Sequence, residues 1–260
     1  MKKILLTFDV EEFDLPKEYN QNISEQEMYQ LPMQGLLKIM KLLERYQVNA
    51  TFFTTTNFAK KFPKLIQEAQ KKGHEIASHG NSHSDKYNND LSSLNLATKE
   101  LEKITKTKVL GFRAPRFQIK NKAKLFEFGF QYDSSSHPTW IPGRYFNFFQ
   151  KRKIHKIEKI WEIPISTLQI IRLPIFWLAF KNFPLIYSKL FTKINFSATD
   201  YTMLYFHPWE FSNISKFKIP NYIKSPCGSK MLNKLENYLR FCKKNKYQFE
   251  TITHYLKERF

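Results

Sequence analysis

Apolar runs and helical patterns alternate along this chain. Residues 4–8 (ILLTF) form a short continuous apolar run, the pattern of a strand buried on both faces. Residues 33–47 then place Leu36, Leu37, Met40, Leu42 and Leu43 on one broad helical face. A strand at 48–55 (VNATFFTT) and a helix at 62–73, closed by Gly73, come next. The order repeats with a strand at 74–78, a helix at 91–105, a strand at 109–112 and a helix at 120–129. Further strands are predicted at 130–133, 161–166, 203–206 and 247–252, with a last helix at 229–245. Such alternation implies parallel pairing through right-handed crossovers. The chain therefore reads as α/β: a distorted (β/α) barrel of seven or eight mainly parallel strands, with an open doubly wound sheet as second choice. No glycine-rich phosphate fingerprint follows the first strand, which counts against a nucleotide-binding sheet.

One domain over residues 1–260 is expected, with an apolar excursion at about 168–195 that breaks the rhythm. Arg172, Pro174, Lys181 and Pro184 interrupt it, whereas a spanning helix needs roughly 20 continuous apolar residues. A helical segment packed on the barrel is the plain expectation. A lid, or a surface resting on lipid through Phe176 and Trp177, is the sharper one.

Charge changes the picture only in part. The 42 basic and 23 acidic residues leave +19, which would attract nucleic acid, anionic lipid or an acidic polymer. The lysines are scattered through nearly every predicted helix, and no nucleic-acid-binding motif is present, so no nucleic-acid partner is expected. Peripheral contact with an anionic membrane stays a candidate. Cys227 and Cys242 lie in no metal-ligand spacing and read as a reduced pair. The start, MKKILLTFDVEEFD, brings acids too soon for a signal peptide, so a cytoplasmic location is expected, peripheral to the inner membrane face if lipid is bound.

The chemistry sits where the strands end. Asp9, His79, Arg113, Asp133 and His207 each follow or close an apolar run, and in a parallel barrel these positions share the carboxyl face. Acid, imidazole and guanidinium gathered there suit a hydrated metal site. His79 and His83, four apart in SHGNSHS, can offer two nitrogens, and the acidic cluster at 9–12 an oxygen. A divalent ion would make water nucleophilic; a second carboxylate could take its proton and a separate imidazole could protonate a departing amine. Trp140 and Trp209 could stack on a sugar or simply pack. His137 lies near the expected mouth as a substrate contact, whereas His74 precedes its strand and belongs to the opposite end.

In order and approximate spacing, TFDVEE, SHGNSHS, GFRAPRF, YDSSS and LYFHPWEF resemble the motifs of the polysaccharide deacetylases. The resemblance runs from residue 4 to about 211 and implies a distorted (β/α) barrel that removes acetyl groups from sugars with a divalent metal, zinc being the first expectation. By position, Asp9 matches the general base, His79 and His83 the metal-binding histidines, and Arg113 the arginine that orients the base. Asp133 matches the acid that positions the catalytic histidine, and His207 that histidine, the general acid. The commonest first motif has two adjacent aspartates, but Val10 stands at the second place. A divergent branch uses Asp-x-Asp, which makes Glu11 the expected metal ligand and Glu12 its substitute. A backbone N–H near Arg116, with the metal, is expected to stabilise the oxyanion.

The expected function is metal-dependent hydrolysis of N-acetyl groups in a glycan or glycan precursor, a lipid-linked one included. Hydrolysis of a small cyclic or linear amide such as a ureide is the second enzyme reading. A barrel that binds glycan without catalysis is the third, supported by Val10. The sequence leaves the oligomeric state open.

Overall fold

Lys3–Val10, buried at every position, forms the first strand, β1. In the computed structural model, residues 1–84, 91–141, 145–169, 172–174 and 176–260 are described. After β1 come α1 (Glu25–Arg45), β2 (Thr51–Thr54), α2 (Thr56–Lys61), α3 (Pro63–Lys71), β3 (Glu75–Ser78) and α4 (Ser92–Thr105). The short strands β4 (Gly111–Phe112), β5 (Tyr132–Asp133), β6 (Trp140–Ile141), β7 (Tyr145–Phe146), β8 (His155–Ile157) and β9 (Ile160–Glu162) follow. The remainder holds α5 (Trp177–Asn182), α6 (Leu185–Asn195), β10 (Tyr201–Phe206), α7 (Asn221–Lys224), α8 (Ser229–Lys244), β11 (Gln248–Glu250) and α9 (Ile252–Arg259).

The main sheet runs β10-β1-β2-β3-β4-β5-β9-β8, and β11 pairs with the amino half of β1. Every pairing is parallel except β8 with β9. The sheet curls into a half-barrel. Among the described residues β8 and β10 do not pair; the gap is bridged where the Met203 N–H donates to Ser166 Oγ at 2.8 Å. The expected mainly parallel α/β barrel is thus the observed architecture.

Several boundaries moved for local reasons. Ser24 caps α1 by accepting the Glu27 N–H at 3.2 Å, so the helix begins well before residue 33 and carries Pro32 inside it. Leu37, expected on the inner face, is exposed; Leu36, Ile39, Met40, Leu42 and Leu43 face the core. The helix expected over 120–129 is only a 3-10 turn, Ala123–Phe128, because Leu125 alone is buried and no apolar face anchors an α-helix. The strand expected at 161–166 stops at Glu162, ahead of Pro164, which has no N–H for a ladder. The strand expected to reach 252 ends at Glu250, since Thr251 caps α9 by accepting the His254 N–H. The excursion is two helices, α5 and α6, divided by Pro184; its residues 170, 171 and 175 lie outside those described.

One glycine is required by the site. A Cβ on Gly35 would lie 1.8 Å from the Pro208 carbonyl oxygen, so α1 packs backbone to backbone on the 3-10 turn Pro208–Phe211. That turn directly follows His207.

Candidate active site

The carboxyl ends of β1, β3, β4 and β10 surround a pocket of about 370 Å³, a size usual for small-molecule sites. Its wall carries the carboxylates of Asp9, Glu11, Glu12, Asp14 and Glu18, with His79, His83, His207 and Arg116. Five acids line this pocket in a chain of net charge +19. The local sign is opposite to the global one, which suits a bound cation.

Strand alternation sorts the first motif. Successive residues of an extended chain point to opposite faces, so Asp9 and Glu11 both reach the pocket while Val10 enters the core. The fully buried Arg113, just after β4, donates from Nη1 to Asp9 Oδ1 at 2.7 Å and to Thr7 Oγ1 at 3.0 Å. Its Nε and Nη2 are held by the Ser134 carbonyl and hydroxyl, and its plane lies 4.0 Å from the Phe53 ring centroid. The guanidinium is thereby fixed in direction, and through Nη1 it orients the Asp9 carboxylate.

Glu11 faces three imidazoles. Its Oε2 lies 3.1 Å from His79 Nε2 and 3.6 Å from His83 Nε2, and its Oε1 lies 3.8 Å from His207 Nε2. Burial pushes the Glu11 carboxyl up, but His83, His207 and His79 overcome it and hold it at about 2. Burial likewise pulls His83 down, while Glu11 and Asp14 outweigh it and raise it to about 9. His207 follows the same logic: burial lowers it, and Glu11, Glu210 and Asp9 give a net rise. Glu12 is turned elsewhere, accepting from Thr55 Oγ1 at 3.2 Å, the His83 N–H at 3.3 Å and Tyr29 OH at 3.4 Å.

The hydrogen bonds behind the imidazoles show that these residues fit a divalent ion. His79 Nδ1 lies 2.8 Å from the Arg113 carbonyl oxygen, so Nδ1 carries the proton. His83 Nδ1 is bound to Asp14 Oδ1 at 2.7 Å in the same manner. With neutral rings, both Nε2 atoms would present lone pairs to a carboxylate, acceptor against acceptor. A proton or a cation must lie between them. Two imidazole nitrogens and a carboxylate oxygen, with a carbonyl and a carboxylate behind the rings, make a donor set that suits a divalent ion. A tighter group, Glu250, His254 and Glu258, has ligand atoms within 4.8 Å of one another near the amino end of β1. There the Lys3 ammonium already contacts both carboxylates and supplies the positive charge.

Asp133 and His137 depart from expectation. Asp133 accepts from Ser135 Oγ at 2.5 Å and pairs with Lys122 at 3.1 Å, and it does not line the pocket. Ser135 in turn accepts the Ala114 N–H at 2.8 Å, so Asp133 braces the loop that carries Arg113. The acid on His207 is Glu210, which accepts from the His207 N–H at 2.8 Å and from Nδ1 at 3.2 Å. It lies three residues on, within reach of the same turn. Lys181, fully buried on α5, pairs with Glu210 Oε2 at 3.3 Å and donates to the Ile223 carbonyl at 2.7 Å. His137 is not a mouth residue: it is wholly buried behind the wall, against Phe117, Phe176 and Tyr205, and burial holds it down at about 3.

Trp209 is buried rather than presented to solvent. Its ring stacks on His207 at 4.9 Å and its Nε1 reaches Glu11 Oε1 at 3.4 Å. Trp177 meets His207 edge-on at 5.1 Å and is 6% exposed, so it forms pocket wall and not a lipid contact. Trp140 stands apart from the pocket lining, 59% exposed. Arg116 lines the pocket with φ of 55° and pairs with Glu18 at 2.6 Å. Trp177, Lys181, Asp14 and Glu210 had weak sequence signals: only HPWE, with Glu210 next to the histidine motif, offered one. The aromatic excursion did not reveal which of its residues turn inward.

The comparisons agree with this geometry. The polysaccharide deacetylase profile matches residues 1–132, just over half of the chain, and a domain of unknown function, DUF3473, matches residues 134–257. The second stretch supplies β10 and β11, which flank β1 of the first in one sheet. A probable polysaccharide deacetylase from Pseudomonas aeruginosa PAO1 superposes with a TM-score of 0.63 at 19% identity, covering 96% of this chain and 87% of that one. The Puue allantoinase superposes with a TM-score of 0.66 at 18% identity, covering 97% and 88%. At these identities the likeness is one of fold. An uncharacterised 30.6 kDa protein in the fumA 3′ region of Geobacillus stearothermophilus is 34% identical over 71 residues, spanning 25% of this chain and 27% of that protein. With the profile match over its first half, a curled parallel sheet and the strand-end motifs in one pocket, the chain belongs to the polysaccharide deacetylase family.

Proposed function

We propose that the protein hydrolyses N-acetyl groups of sugars in a glycan or glycan precursor, with a zinc-class divalent ion held by Glu11, His79 and His83. The observation that carries this reading is the convergence of two separately braced pairs, Asp9–Arg113 and His207–Glu210, beside that donor set. A bound ion would supply Lewis acidity, polarising the acyl oxygen and lowering the pKa of water.

The chain's own groups move the protons. Asp9, oriented by Arg113, accepts a proton as the water oxygen bonds to the carbonyl carbon. The backbone of the Arg116 turn, on the pocket wall, is the candidate donor to the developing oxyanion. Glu210 holds the His207 Nδ1 proton, which leaves Nε2 directed to the pocket side, 3.8 Å from Glu11. As the C–N bond breaks, His207 Nε2–H protonates the amine. One water is consumed, and acetate and an amino sugar leave. Trp209 against the imidazole face stabilises the cationic ring that starts this step.

Acetate release from N-acetylated chito-oligosaccharides tests the proposal. Activity that is abolished by chelation and restored by zinc is expected. A fully metal-loaded protein that releases no acetate across a panel of N- and O-acetylated glycans would reject it. Ring-amide hydrolysis is the second reading, favoured by the likeness in fold to an allantoinase; turnover of cyclic ureides with none of sugars would select it.

A further inference from the structure

We propose that the outer face of α6, with the adjoining loop and hairpin, docks the protein on an anionic membrane surface. Ile186, Leu190 and Ile194 recur at every fourth residue, so they form one row along the helix. They are exposed by 58, 50 and 54%. Phe183, also exposed, precedes the helix and packs on Tyr187 at 4.9 Å.

The apolar surface continues past the helix. Tyr187 OH donates to the Pro174 carbonyl at 3.2 Å, beside the exposed Leu173. Arg172 lies over the Phe148 ring at 5.5 Å, and Phe148 and Phe146 both pack on Phe149, which is 82% exposed. Single exposed apolar residues are ordinary on a soluble protein; a connected series from one stretch of chain marks a binding surface.

Charge identifies the occupant. Residues 140–195 hold ten Lys and Arg against two acids, Glu158 and Glu162. Glu162 is buried against Lys122, so the outward charge of the stretch is almost wholly positive. Lys189 and Lys193 lie on α6 itself, with their ammonium groups over the Phe241 ring of α8. Apolar side chains flanked by lysines match a lipid interface: the former enter the acyl boundary and the ammonium groups meet phosphates. No helix of the described residues is long and apolar enough to cross a membrane, so this face lies on the surface. The docking stands independently of the chemistry in the pocket, although α5 and α6 are consecutive and Trp177 of α5 lines that pocket.

Sedimentation of the full chain with vesicles tests this. Vesicles of phosphatidylcholine with about one third phosphatidylglycerol should bind the protein, pure phosphatidylcholine much less, and salt should weaken the anionic binding. The triple variant Ile186→Ser/Leu190→Ser/Ile194→Ser should bind about tenfold more weakly or worse, with an unchanged thermal midpoint because these side chains are exposed. Phe149→Ser, in the turn after β7, should weaken binding separately. Absence of wild-type binding to anionic vesicles, or equal binding by both variants, overturns the proposal. A wild-type dimer that the triple variant dissociates, without vesicle binding, would assign the face to a second copy and overturn it as well.

Discussion

Glu11 is the residue on which the pocket's electrostatics turn. It is buried, faces three imidazoles and is held ionised at about 2. Glu11→Gln removes the one anionic donor of the proposed metal set; the expected outcome is a loss of divalent-ion affinity of about 10- to 100-fold or more, read by metal titration of the purified chain. The Glu210–Lys181 pair makes a different prediction. Glu210→Gln keeps an acceptor for the His207 N–H but removes the charge behind the ring, so kcat should fall about 10²-fold with little change in KM. Lys181→Met strands the buried Glu210 carboxylate and should destabilise the fold by about 3 kcal/mol. The double variant Lys181→Met/Glu210→Gln should recover stability and not kcat, as measured by denaturant unfolding beside steady-state kinetics.

Elements bring these residues into register. The row of strand-end side chains follows from parallel pairing, and the His207 turn is set by the backbone contact of α1 on Pro208. Gly35→Ala forces two backbones apart. Stability should fall by about 1–3 kcal/mol, and catalysis more steeply than the residual fold content, read by thermal midpoint and kcat together. Long amphipathic elements were legible in the chain: helices expected at 62–73, 91–105 and 229–245 are α3, α4 and α8, because each carries a periodic buried face. Short ones were not. The hairpins β6–β7 and β8–β9, α2 and α9 carry too few apolar positions for a period, and what stabilises them is packing by distant segments.

For the whole molecule, buried histidines tie stability to pH. His74 sits at the strand end opposite the pocket, where its Nδ1 accepts the Ala50 N–H at 3.2 Å and its ring packs on Phe52. Burial lowers it from 6.5 to about 4, so the folded state keeps it neutral. The unfolded chain then binds a proton that the folded chain does not. The stability present above pH 6.5 is therefore lost as pH falls toward 4, by about 3 kcal/mol. Denaturant unfolding at pH 7, 5 and 4 should show this slope, and His74→Gln should lessen it, the part that remains including that of His137, which burial also holds neutral.

Taken alone, the sequence determined that strands and helices alternate, that the sheet is mainly parallel, and that Asp9, His79, Arg113 and His207 share one end of it. These follow from the two periods of the chain, 2 and 3.6, and from where apolar runs stop, all of which are local. Tertiary structure decided the partners: Glu210 rather than Asp133 on His207, Asp14 on His83, Lys181 beneath Glu210, and Trp177 rather than His137 in the wall. Such pairings depend on separations of about 3 Å between side chains far apart in the chain, and hydrogen bonds and ion pairs discriminate at that range. Only packing sets those distances.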